Sequence, residues 1–346
     1  MNINIILPYK ETYNEKLAGA VSLLVAEVKN KCKFKNNIKI FGSLILKKPL
    51  TKNYISCDLS DKPFYYIFGR TSYYLKNIKK KISRKSIIEI HNRPQAANFF
   101  INNNNNNKII LYFHNDPLTL RGSKNVYQRI HLLKNLDKLI FVSEWTKRQF
   151  FKNLPVKDSE KCLVIYPGST LIKKVPKKKN NIVFAGKLNQ SKGYNIFINV
   201  ISEILQKNRS WTCDIVGDDP RHYEKINHPK IHYHGWLTYK KTMEIFEKSK
   251  VAVIPSTWDE PLGRTAIEAA SRGCVSIISK KGGLIETNRH GLFLNYVTEE
   301  ELYNKLNKII NSPSLINLYS NRTLKEFKHS INKSINQINT IYKELK

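Results

Sequence analysis

Two carboxylates and a glycine form the most informative cluster in the chain. Glu260 stands in a polar loop, Pro255-Ser256-Thr257-Trp258-Asp259-Glu260-Pro261-Leu262-Gly263-Arg264-Thr265, and Glu268 follows inside the helix that Gly263 opens. A carboxylate accepts two hydrogen bonds from vicinal hydroxyls, which suits it to a sugar or a ribose. The amides of Gly263, Arg264 and Thr265 fall at a helix N-terminus, where unpaired N–H groups and the helix dipole favour a phosphate. The same spacing also fits a solvated loop acid and a surface helix acid, so residue types alone leave both readings open. Upstream, Ala185-Gly186-Lys187-Leu188-Asn189-Gln190-Ser191-Lys192-Gly193 places two cations after a strand; each lysine alone also reads as a solvated side chain. Earlier still, Glu89-Ile90-His91-Asn92-Arg93-Pro94 and Tyr112-Phe113-His114-Asn115-Asp116-Pro117 each put a histidine at the carboxyl end of a strand. Doubly wound sheets bind ligands at that end, although a histidine there is as often structural.

The elements that must position these residues alternate. Strands are expected at Ile3–Leu7, Ser86–Ile90, Lys108–Phe113, Lys138–Val142 and Cys162–Tyr166. Helices are expected over Leu17–Val28, Gln95–Ile101 and Trp145–Phe151, the last with Ser143 as N-cap. Pro167-Gly168 ends this series, and the charged stretch Val175–Asn180 reads as an interdomain linker. The alternation restarts with strands Ile182–Ala185, Thr212–Val216, Val251–Ile254 and Val275–Ile278, and helices Lys192–Gln206, Lys241–Lys248 and Arg264–Ser271, with Gly273 as a left-handed cap. The fold class is therefore α/β, with two Rossmann-like doubly wound domains facing across a cleft. The domains are expected at 1–172 and 173–323, with an amphipathic helix over 324–346, apolar at Phe327, Ile331, Ile335, Ile338 and Ile341, returning to the first. The asparagine run Asn102–Asn107 reads as a solvated loop.

Bulk properties narrow the function classes. The 346 residues suit two cores rather than one, and 41% hydrophobic content supports globular packing. A net charge of +32, from 59 Lys and Arg against 27 Asp and Glu, points to an anionic partner or to a Lys-, Asn- and Ile-rich compositional habit. The basic residues are scattered without a nucleic-acid-binding motif, so no nucleic-acid partner is expected. Cys32, Cys57, Cys162, Cys213 and Cys274 lack metal or redox spacing, as free thiols in a reducing cytoplasm would. No apolar run approaches a membrane span, and the N-terminal apolar stretch is too short for a signal peptide. The expected location is cytoplasmic, with peripheral attachment to an anionic membrane surface.

Two acids separated by seven residues, set in strand, Pro-Ser, loop, Glu-Pro-Leu-Gly-Arg-Thr and helix, resemble the signature of family 4 retaining glycosyltransferases of the two-domain GT-B fold. The segment 185–193 resembles the one whose two basic residues meet the donor diphosphate, with Lys187 where the family usually has Arg and Lys192 matching directly. Ser279-Lys280-Lys281-Gly282-Gly283-Leu284-Ile285-Glu286 resembles the family's Gly-Gly segment. The resemblance is strongest over 182–286, moderate over 86–151 and slight before residue 61. It implies transfer of a sugar, with retention, from a nucleotide diphosphate sugar to a glycan or lipid-linked acceptor of lipopolysaccharide or surface polysaccharide synthesis. It implies that Glu260 holds sugar hydroxyls, Glu268 the ribose, and Lys187, Lys192 and the amides near Gly263 the diphosphate. His114 would contact the transferred sugar, with His91, Arg93 and Asn115 on the acceptor side of the cleft. Gly19 would stand near the diphosphate, in a turn that keeps only one of the usual glycines. No cofactor is expected. No Asp-x-Asp motif is present, so cationic side chains would replace a metal. Other readings are a basic nucleic-acid- or membrane-binding protein without catalysis, an epimerase-like enzyme of the same fold, and a non-catalytic glycan-binding relative; the paired acids and lysines weigh against the last two.

Overall fold

The computed structural model describes residues 1–43, 48–57, 69–104, 106–219 and 223–346; Asn105, within the asparagine run, lies outside the described residues. The chain divides into two units, Met1–Pro167 with Asn332–Lys346, and Gly168–Ile331.

In the first unit the strands are β1 (Ile3–Ile6), β2 (Ile38–Ser43), β3 (Tyr54–Cys57), β4 (Ile87–His91), β5 (Lys108–Phe113), β6 (Lys138–Phe141) and β7 (Cys162–Val164). They form one parallel sheet in the order β3-β2-β1-β4-β5-β6-β7. Strands covered on both faces read as apolar runs; β5 does so, with Ile109, Ile110 and Leu111 buried, and β4 buries Ile87, Ile88 and Ile90 together with Glu89 and His91. The helices are α1 (Ala20–Lys31), α2 (Arg70–Lys79), α3 (Pro94–Asn102), α4 (Val126–Asn135) and α5 (Glu144–Phe151). Ser143 caps α5 by accepting from the Thr146 amide at 3.0 Å. Pro94 opens α3 at the position where its missing N–H costs nothing.

In the second unit β8 (Lys179–Ala185), β9 (Thr212–Val216), β10 (Ile231–Tyr233), β11 (Ser249–Ile254), β12 (Val275–Ser279) and β13 (Leu292–Leu294) make a parallel sheet ordered β10-β9-β8-β11-β12-β13. The helices here are α6 (Tyr194–Lys207), α7 (Tyr239–Lys248), α8 (Arg264–Ser271), α9 (Glu299–Ile310) and α10 (Pro313–Lys325), and α11 (Ile331–Glu344) then joins the first unit. Gly273, at φ 70°, ends α8 as expected, and Cys274 N–H reaches back to Ala269 O at 3.1 Å.

Two expectations are corrected. The charged stretch is not a linker throughout: β8 starts at Lys179, and Lys178 Nζ turns inward to the carbonyls of Phe246, Glu247 and Ser249 at 3.0, 3.0 and 2.8 Å. A run of lysines conceals that one of them caps the end of α7. The final helix is also not continuous over 324–346. It breaks between Lys325 and Ile331, where Ser169 N–H bonds His329 O at 2.9 Å and Ile331 N–H bonds Ser169 O at 3.2 Å. Backbone pairing with Ser169 displaces helix there, so Phe327 leaves the apolar series that Ile331, Ile335, Ile338 and Ile341 maintain.

Candidate functional site

In the second sheet the strand order reverses between β8 and β11, and such switch points open a crevice beyond the carboxyl ends of the two strands. The loops leaving those strands are joined there. Thr257 N–H bonds Ser191 O at 3.0 Å, and Thr257 Oγ1 donates to Gln190 O at 2.9 Å. Gly193 sits at φ 69°, and a Cβ on it would collide with Pro255 O, so only glycine permits this approach. Asn189 holds the first loop by accepting from Lys192 N–H at 3.2 Å while its Nδ2 donates to the buried Asp219 at 2.8 Å.

This joining brings Lys192 to Glu260. Lys192 Nζ pairs with Glu260 Oε1, which also accepts from Ser256 Oγ at 2.7 Å; the Glu260 side chain is 6% exposed. Nζ also lies 5.5 Å from the ring centroid of Trp258, within cation–π range. Lys187, on the same loop, is exposed. Gly263 takes φ 94° at the start of α8, where a Cβ would strike Leu284. One turn on, Glu268 Oε1 accepts from Arg264 Nε at 2.7 Å, and the guanidinium lies 5.5 Å from the Tyr239 ring centroid. Thr265 is partly exposed in that first turn. The Gly-Gly segment packs against this loop: Gly283 N–H bonds Glu260 O at 2.6 Å, and a Cβ on Gly282 would collide with that oxygen. The close approach these glycines allow is thus to the Glu260 backbone.

In the first unit, β4 and β5 are adjacent and place their histidines in contact. His91 Nδ1 lies 2.8 Å from His114 Nε2, and His91 Nε2 lies 2.8 Å from Glu89 Oε1. Tyr112 stacks on both rings, at 5.2 and 4.7 Å. His114 is partly exposed, whereas His91 is 1% exposed with both ring nitrogens engaged. His91 therefore backs His114, which corrects the expectation that it meets an acceptor itself. Arg93 Nη1 donates to Asn92 O at 2.9 Å, and Asn115, exposed, donates its amide to Asn92 Oδ1 at 3.1 Å. Gly19 is the N-cap of α1, but Glu11 Oε1 already accepts from Ser22 N–H and Oγ there, at 3.3 and 3.0 Å. Glu11 thus supplies a carboxylate at the helix start beside Gly19.

Sequence reasoning missed Glu89, Ser256, Trp258, Asp219 and Tyr239. Glu89 is a single buried acid between Ile88 and Ile90 with no pattern around it, and the others meet their partners only through the fold.

Residues 171–326 match the family described as glycosyl transferases group 1. A putative glycosyltransferase of Bacillus subtilis, YtcC, is 24% identical over 70% of this chain and 72% of its own length. An uncharacterized 41.2 kDa protein in the cps region of Klebsiella pneumoniae is 32% identical, and that match spans 41% of this chain and 38% of the relative. Among solved structures, sucrose-phosphate synthase from Thermosynechococcus elongatus superposes with TM-score 0.74 at 14% identity, covering 100% of this chain and 99% of that one. Anabaena HepE in complex with UDP and glucose gives 0.73 at 14% identity, over 98% and 99%. These likenesses establish the fold as two parallel-sheet Rossmann-like domains of the GT-B kind.

Proposed function

We propose that this chain is a retaining, family 4-like glycosyltransferase that moves a sugar from a nucleoside diphosphate sugar to a glycan or lipid-linked acceptor. The observation that carries this reading is the convergence of Lys192, Glu260, Glu268 and the start of α8 at the switch point of the second sheet. Lys187, Lys192 and the amides of Gly263, Arg264 and Thr265 receive the diphosphate. Glu260 holds sugar hydroxyls and Glu268 the ribose. HepE was solved with UDP and glucose, which supports a donor of this class. His114 is assigned to the transferred sugar; Arg93 and Asn115 are assigned to the acceptor.

The reaction breaks the bond from the anomeric carbon to the diphosphate oxygen and forms the bond to the acceptor oxygen on the same face. The acceptor proton passes to the leaving diphosphate. The transition state is oxocarbenium-like, so positioning and stabilisation of the leaving charge supply the rate. Lysines and helix amides provide that positive field, and no metal is invoked. The net charge of +32 and the cps-region relatives support an acceptor of surface polysaccharide synthesis, met at the inner face of the cytoplasmic membrane.

The test is a binding panel of UDP, GDP, ADP and their sugars, with EDTA present, on the wild-type protein and Glu268→Ala. One base should bind, and the substitution should weaken it by about tenfold or more, the worth of a hydrogen bond to a charged group. A folded protein that binds no member would overturn the donor site. The anomeric configuration of the product, read by NMR, decides retention.

A further inference from the structure

Behind His114 runs a chain of buried polar contacts that the proposed chemistry does not use. Glu89 is 2% exposed at the centre of the parallel sheet, an expensive place for a carboxylate without partners. Its two oxygens are divided between two elements. Oε2 accepts from the Tyr342 hydroxyl on α11 at 2.8 Å, and Oε1 faces His91 Nε2 at 2.8 Å. Burial, and then the Glu89 charge, push the Tyr342 phenol well above its ordinary range, so it keeps its proton and donates. Burial does the same to Tyr112, which stacks on both histidines without bonding to either ring nitrogen.

The direction of each bond then follows. An ionised carboxylate only accepts, so the proton between Glu89 and His91 sits on His91 Nε2. In a neutral ring this leaves His91 Nδ1 as an acceptor, so the proton in the 2.8 Å contact with His114 sits on His114 Nε2. With Glu89 ionised and both rings neutral, the order is Tyr342 O–H to Glu89, His91 Nε2–H to Glu89, and His114 Nε2–H to His91.

We infer that Glu89, Tyr342 and His91 are positioning residues that fix the tautomer and the ring orientation of His114 through the contacts Tyr342–Glu89–His91–His114. The inference rests on the transferase reading only for the consequence in catalysis; the tautomer belongs to the protein without substrate. The groups packed around the chain are Glu89 and His91 on β4, Tyr112 on β5, His114 directly after β5, Tyr342 on α11, and the Cys32 thiol after α1. The arrangement makes a specific demand on position 91. It needs a donor towards Glu89 and an acceptor towards His114, which a glutamine amide also offers and a phenylalanine does not.

The full chain, labelled with 15N-histidine, would be examined by NMR without substrate. A through-hydrogen-bond 15N–15N coupling between His114 Nε2 and His91 Nδ1 is expected, with the proton on His114. Both Nε2–H resonances should lie downfield and exchange slowly. Glu89→Gln should move both upfield, and Tyr342→Phe, the milder variant, should move them in the same direction by less. His91→Gln should keep the His114 Nε2–H protected, and His91→Phe should expose it to exchange. A proton on His91 Nδ1 or His114 Nδ1 in the neutral wild-type rings, or resonances unmoved by Glu89→Gln, would overturn the inference. With UDP-glucose turnover as the activity probe, Glu89→Gln and His91→Phe should lower kcat by about ten- to a hundredfold, the usual scale for a residue that orients a reactive one, with KM little changed and His91→Gln near wild type. Equal losses in His91→Gln and His91→Phe, with both folded, would also overturn it. If no nucleotide sugar is turned over, the transferase reading fails and the NMR result still decides the tautomer.

Discussion

At the scale of single residues, the site depends on positions where no side chain fits. Gly193 combines φ 69° with a Cβ position occupied by Pro255 O, so Gly193→Ala must separate the two loops that bring Lys192 to Glu260. The expected cost is about 1–3 kcal/mol of stability for strain at such a backbone, measured by urea unfolding, together with weaker nucleotide-sugar binding. Gly69→Ala, also at positive φ but with open space around its Cβ, should leave that binding unchanged. Unaltered binding in Gly193→Ala would show that the two loops do not depend on each other. Much at this scale was legible. Glu260, Glu268, Lys192 and Gly263 stand in one ordered pattern, of which the structure pairs Lys192 with Glu260. Glu89 was not legible, because one buried acid in an apolar strand has no pattern around it; its meaning comes from Tyr342, 253 residues away.

At the scale of elements, strands with an apolar run and a cap beside them were readable to within a residue or two: β5 and α8 fall where the periodicity places them. β2 and β3 were missed; β3 is short, partly exposed and ends close to a segment outside the described residues. The break between α10 and α11 was missed because an amphipathic period cannot report a competing backbone pairing with residue 169, far away in sequence. Lys178 offers a test. Its ammonium spans three carbonyls at the end of α7, and burial pulls its pKa below the usual lysine range. Lys178→Met keeps the packing of the stem but strands those acceptors, and should cost about 1–3 kcal/mol. Thermal denaturation reads this, and an unchanged melting temperature would mean that the carbonyls find water instead.

At the scale of the whole molecule, composition gave bounds and little more. The five cysteines are free and buried. Burial pushes the Cys162 thiol up to about 12, the Cys213 thiol well above its ordinary value, and those of Cys32, Cys57 and Cys274 upward. Thiolate is the reactive form, so the native protein should react slowly with DTNB at pH 8 and all five thiols should react after unfolding. A fast native thiol would mark a local opening. Among the described residues no helix is long and apolar enough to cross a membrane, so the proposed attachment rests on charge. Flotation should favour vesicles with anionic lipid over neutral ones and weaken with salt; equal flotation would remove the attachment.

The first unit is assembled from two stretches of sequence, with the whole second unit encoded between them. A ribosome therefore finishes the second unit before it finishes the first. Until Asn332–Lys346 emerges, the early sheet waits without Ile335, Ile338 and Ile341, and the Glu89 carboxylate waits without its phenol. The first unit thus starts before the second and is completed after it, and the proton arrangement behind His114 has to wait for Tyr342.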